Sequence, residues 1–142
     1  MGFFDKVLGK KEKFPQLAQE HPVMSRLQSD MPGIETLASQ ISDPIELVPA
    51  EKATYVFIGK PPKHFGMAWV EGGEVRDFKT LAKQKGMTSL DLKPVMDKIK
   101  EAYEKNSSDE HFSMKVADRD VVITPAAALA GEVEQIILGV SS

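Results

Sequence analysis

The sequence predicts an α+β fold: a helical N-terminal segment, then one mainly antiparallel sheet of about five strands covered by helices, in the order βββ-αα-ββ-α. Three observations predict it. Thr54-Tyr55-Val56-Phe57-Ile58 is β-branched and aromatic with apolar residues on both faces, the pattern of a central strand. Glu71-Gly72-Gly73-Glu74 is a tight-hairpin signal, because glycine accepts the positive φ such turns demand. Two long stripes, Leu92 to Tyr103 and Leu129 to Val140, follow the 3.6-residue helical period. The strand groups alternate with helices, so the helices are expected on one face of the sheet.

The elements follow in order. Residues 2–9 can form two turns of helix, with Phe3, Phe4, Val7 and Leu8 on one face and Asp5, Lys6 and Lys10 off it. Residues 15–42 read as short helices. Pro22 can open one, Pro32-Gly33 should break it, and Ile34, Leu37, Ala38 and Ile41 mark the next. A short strand is expected at Ile45–Val48 and the central strand at Thr54–Ile58. Gly59-Lys60-Pro61-Pro62-Lys63 reads as an extended loop. Strands at Met67–Val70 and Val75–Phe78 flank the Gly-Gly turn, and a helix near Thr80–Lys85 stops at Gly86.

The clearest helix carries Leu92, Val95, Met96, Ile99, Ala102 and Tyr103 on one stripe, with Pro94 placed in its first turn. A loop at 106–109 leads to a second hairpin, Phe112–Ala117 and Asp120–Thr124, turning at Asp118-Arg119. Thr124 is expected to cap the last helix with Pro125 at its first position. Leu129, Ala130, Val133, Ile136, Ile137 and Val140 then face the core. The expected organisation is an arm at 1–13 and one domain at 14–142, helical over 14–50 and holding the sheet and its helices over 53–140.

Composition narrows the function. The chain of 142 residues has no cysteine, which excludes disulfides, thiolate metal sites and cysteine nucleophiles and fits a reducing cytoplasm. No apolar run approaches a membrane span, and Asp5-Lys6 directly after Phe3-Phe4 leaves no secretory core. The net charge of −3 argues against general nucleic-acid binding. That charge is uneven: residues 1–13 carry +2, 14–58 carry −4, 59–105 carry +3 and 106–142 carry −4.

Chemistry is hinted at in one pattern. All three histidines stand three residues before a methionine: His21 and Met24, His64 and Met67, His111 and Met114. Imidazole with thioether is a ligand pair for soft copper and for haem iron. His21 belongs to a proline-broken helical region and drops out. That leaves His64, Met67, His111 and Met114 as a candidate metal or noncovalent haem site. The two His-Phe-x-Met segments are open to a plainer reading, a duplicated ββα unit over 64–86 and 111–137 with Phe and Met in the core. Residues three apart on a strand face opposite sides, so a shared ligand needs each His on the preceding loop.

Catalytic signatures are missing: no nucleophile elbow, phosphate loop, zinc-protease pair or dinucleotide glycine pattern. The loop at Lys60–Phe65 could touch phosphate or a base, which is weak evidence on an acidic chain. The sole tryptophan, Trp69, reads as core. The arm resembles a minimal interfacial anchor, with Phe3, Phe4, Val7 and Leu8 for the bilayer boundary and Lys10 and Lys11 for anionic headgroups. Docking of the same segment on the protein's own core stands beside that reading. The expectation is a non-enzymatic cytoplasmic protein acting through a protein partner or self-association, with the arm as the segment that could bring it to a membrane or a larger assembly. Copper or haem binding is the alternative.

Overall fold

The computed structural model describes residues 14–60, 63–106 and 110–141, and at positions 60, 63, 64 and 141 the backbone alone. The arm residues Phe3, Phe4, Val7, Leu8, Lys10 and Lys11 lie outside the described residues, as do Pro61, Pro62 and most of the 106–109 loop. The elements are α1 (Pro22–Gln40), β1 (Ile45–Pro49), β2 (Thr54–Lys60), β3 (Lys63–Glu71), β4 (Glu74–Asp77), α2 (Phe78–Lys85), α3 (Ser89–Lys105), β5 (Phe112–Val116), β6 (Arg119–Ile123) and α4 (Ala127–Ser141).

The class is α+β with one six-stranded sheet, in the order β4-β3-β2-β1-β6-β5. The sheet is mixed. Four pairings are antiparallel, while β1 and β6 run parallel with Glu46 opposite Val122. Residues 14–17, expected to be helical, instead run beside Ser113 on the free edge of β5. Leu17 N donates to Ser113 O at 3.0 Å and Ser113 N to Pro15 O at 2.9 Å. The edge is thereby covered at Ser113, a partial remedy for an exposed row of backbone donors.

Helices cover both faces, not one. On the first face α1 buries Val23, Met24, Leu27, Ile34, Leu37 and Ala38 against Leu47, Val56, Val70, Val121 and Ile123. On the second, α2, α3 and α4 bury Phe78, Ile99, Ala102, Leu129, Ala130 and Val133 against Val48, Tyr55, Phe57, Met67 and Trp69. Strand β2 is apolar on both sides for this reason: Val56 faces one core, Tyr55 and Phe57 the other.

Three local readings need correction. α1 runs unbroken through Pro32-Gly33. Gly33 lies close against the β3–β4 hairpin, where an added Cβ would lie 2.6 Å from Val70 Cγ1 and 2.9 Å from Gly73 O. α3 starts at Ser89, with Thr88 and Asp91 forming a reciprocal capping box, so Pro94 falls in its second turn. The second hairpin turns at Ala117-Asp118, both with positive φ, one residue earlier than expected. The Gly72-Gly73 turn (φ 61° and 85°) and the Gly86 stop (φ 69°) stand as read.

Candidate functional site

The four residues of the His-x-x-Met reading are dispersed. β3 and β5 are separated by three strands, about 19 Å at the usual strand spacing. Met67 packs in the core under α2–α4, and Met114 packs against the core under α1. The two thioethers therefore lie on opposite faces of the sheet and cannot hold one ion or one haem. His111 and Met114 also point to opposite faces, as the period of two requires. His21 has a structural role: its Nδ1 accepts from Val23 N at 3.2 Å and caps α1. Among the described residues no group of three or more His, Asp or Glu is placed to hold a metal ion.

The duplicated-unit reading fails on the same geometry. In the β3–β4 hairpin the first strand lies inside the sheet; in β5–β6 it is the outer one. Phe65 stacks on Phe57 at 5.9 Å and meets Tyr103 at 5.3 Å in one core, while Phe112 meets the edge of His21 across the sheet. Trp69 is buried against Phe78, as the sequence reading has it.

His111 joins a different set of partners. It extends the β5/β6 register by one pair, so it stands opposite Thr124. Its Nδ1 lies 2.8 Å from Thr124 Oγ1. The Thr124 hydroxyl donates to Glu46 Oε2, and the Tyr103 hydroxyl donates to Glu46 Oε1 at 2.6 Å. Thr124 is thus no helix cap; α4 begins at Ala127 and the hydroxyl is spent on Glu46. Each member is positioned by a different element. Glu46 alternates with Leu47 on β1 and so faces α3. Tyr103 ends the α3 stripe. Thr124 N bonds Leu47 O at 2.8 Å where β6 leaves its parallel pairing with β1.

Electrostatically the cluster centres on one carboxylate. Glu46 is 17 % exposed in its side chain and lies 3.9 Å, through Oε2, from His111 Nδ1. Hydroxyl donors on both oxygens compensate its desolvation. Burial, the hydrogen bond to Glu46 and the charge of Glu46 together push the Tyr103 phenol far above its ordinary range. The cluster floors a cleft of about 270 Å3 whose walls include Phe14, Pro44, Ile45 and Val122. The Phe14 ring sits 5.0 Å from the imidazole, tilted by 34°.

Sequence reasoning singled out His111 but missed Glu46, Tyr103, Thr124 and Phe14. The available signal was the hairpin register. A turn placed at Ala117-Asp118 sets His111 opposite Thr124, whereas a turn at Asp118-Arg119 does not.

Compared with protein-family models, curated proteins and solved structures, the chain matches none.

Proposed function

We propose that the chain is a non-enzymatic cytoplasmic protein that acts through contacts with a protein partner and is held at a membrane surface by its N-terminal arm. The observation that carries this reading is the seating of residues 15–17 on the outer edge of β5. Ser113 Oγ donates to Phe14 O at 3.2 Å and fixes the same segment once more. Phe14, the residue that follows the arm in the sequence, is thereby fixed beside the outer edge of β5. The arm's Phe3, Phe4, Val7 and Leu8 with Lys10 and Lys11 suit an anionic bilayer boundary, where a short anchor gives weak, reversible attachment.

For the contact with protein, Leu90 at 80 % and Leu138 at 51 % exposure offer apolar surface on α3 and α4. Among the described residues no helix is long and apolar enough to cross a membrane, so attachment would be peripheral. Co-sedimentation with vesicles of anionic and of neutral lipid tests the arm. The full chain should pellet with anionic vesicles and a chain starting at Phe14 should not. Equal pelleting of both, or of neither, removes the membrane half of the proposal.

A further inference from the structure

We infer that the cleft at His111 binds a small planar molecule that carries a hydrogen-bond donor and no negative charge. The direction of the hydrogen bonds comes first. Thr124 has one hydroxyl proton and gives it to Glu46, which as a carboxylate can only accept. The 2.8 Å contact between Thr124 Oγ1 and His111 Nδ1 must then be donated by the imidazole. Neutral His111 is held as the Nδ1–H tautomer, with its lone pair on Nε2. Among the described residues no donor meets Nε2. The relay Glu46–Thr124–His111 orients an imidazole whose other nitrogen, among the described residues, is left as an acceptor.

The cleft that His111 lines selects a shape and a charge. About 270 Å3 accommodates one small ring system, just below the usual size of ligand cavities. Phe14 lies against the imidazole at 5.0 Å, and Pro44 and Val122 continue the apolar lining, so a flat ring has surfaces to stack on. Glu46 at the floor opposes a second negative charge. Phenols and neutral N–H heterocycles satisfy all three conditions. Carboxylates and phosphates do not.

Phenol is a suitable probe, with toluene and benzoate as its donor-free and anionic counterparts. Each is titrated into the ¹⁵N-labelled full chain while the two imidazole nitrogens of His111 are followed by NMR. Before any addition, at a pH where the ring is neutral, Nδ1 should carry the proton. Phenol should shift Nε2 saturably, and toluene and benzoate should bind about tenfold more weakly, the factor expected for one unmet hydrogen bond. His111→Phe keeps a ring and removes the acceptor, and Phe14→Ala removes the stacking wall; both should weaken phenol severalfold. The Nε2–H tautomer in the free protein, toluene binding as tightly as phenol, or no saturable shift of His111 would each overturn the inference. Those three readouts use the unaltered protein and stand even if a variant misfolds.

Discussion

Asp30 Oδ2 accepts a 2.9 Å hydrogen bond from the Thr54 hydroxyl, and the two residues are 4 % and 0 % exposed. Oδ1 of the same carboxylate accepts from Gly73 N at 3.2 Å. One side chain thus joins α1 to β2 and to the β3–β4 turn. Asp30→Ala should cost about 2–3 kcal/mol in urea denaturation, because it strands a buried hydroxyl and weakens support for a turn amide. Thr54→Val should cost about 1–3 kcal/mol by removing one partner of a buried carboxylate. The two losses should be strongly non-additive in the double variant. A loss for Asp30→Ala below about 0.5 kcal/mol, the range of ordinary surface changes, would refute this account.

Pro32 and Gly33 are adjacent in α1 and should respond in opposite directions. Pro32 is exposed and cannot donate to Gln28 O one turn earlier. Pro32→Ala restores that bond and should stabilise by as much as about 3 kcal/mol. At Gly33 a methyl would stand 2.6 Å from Val70 Cγ1 and 2.9 Å from Gly73 O. Gly33→Ala should destabilise by about 1–3 kcal/mol, overriding the gain of about 1 kcal/mol in helix propensity. Thermal melts of the two variants test the pair, and equal shifts in one direction would contradict it.

The β5–β6 turn holds Ala117 and Asp118 at φ 51° and 65°. Alanine is a poor occupant of that region, which asparagine and glycine enter readily. Ala117→Asn and Ala117→Gly should each raise stability by about 0.5–1 kcal/mol, read as a shift of the denaturation midpoint without change of slope. The same changes at exposed Lys115, inside β5, should lower it.

The chain has two tyrosines, and both phenols resist ionisation. Burial, with the carboxylates of Glu134 and Glu71 adding to it, raises Tyr55 to about 12. Tyr103 is raised further by burial and Glu46. The unfolded chain releases these protons near pH 10 while the native protein keeps them, so the unfolded state binds fewer protons as pH rises. The stabilisation is complete below pH 10 and is lost as pH climbs through about 12. Absorbance at 295 nm should show almost no tyrosinate at pH 10, followed by a rise coincident with loss of the near-ultraviolet circular dichroism. A reversible step near pH 10 worth one tyrosine would contradict this. With Tyr103→Phe the remaining signal should report Tyr55.

What could be read in the sequence was local. Hairpin glycines, the stop at Gly86 and the stripes of α3 and α4 act over a few residues, and each stands. Pro32-Gly33 misled because tertiary contact outweighs the local signal: α1 is held on both sides of the pair by Leu27 and Ile34 in one core. Thr124-Pro125 has the form of a helix cap, but its hydroxyl partner, Glu46, is 78 residues away. The Ala117-Asp118 turn has no glycine to mark it, and a shift of one residue moved His111 away from Thr124. The candidate site was legible only as an isolated histidine, since its other members come from β1, α3 and the end of β6.

The parallel contact of β1 with β6 bears on how the chain reaches this structure. Glu46 and Val122 are neighbours across the sheet but lie 76 positions apart in the chain. β1 to β4 form a run of adjacent hairpin partners, and β5 with β6 forms another. Each run involves only short loop closures, whereas joining them closes a long loop and is entropically slow. During synthesis the first four strands can therefore pair well before the last hairpin exists, leaving β1 as a temporary open edge. Until β6 arrives, that edge is where a nascent chain is most exposed to pairing with a neighbour.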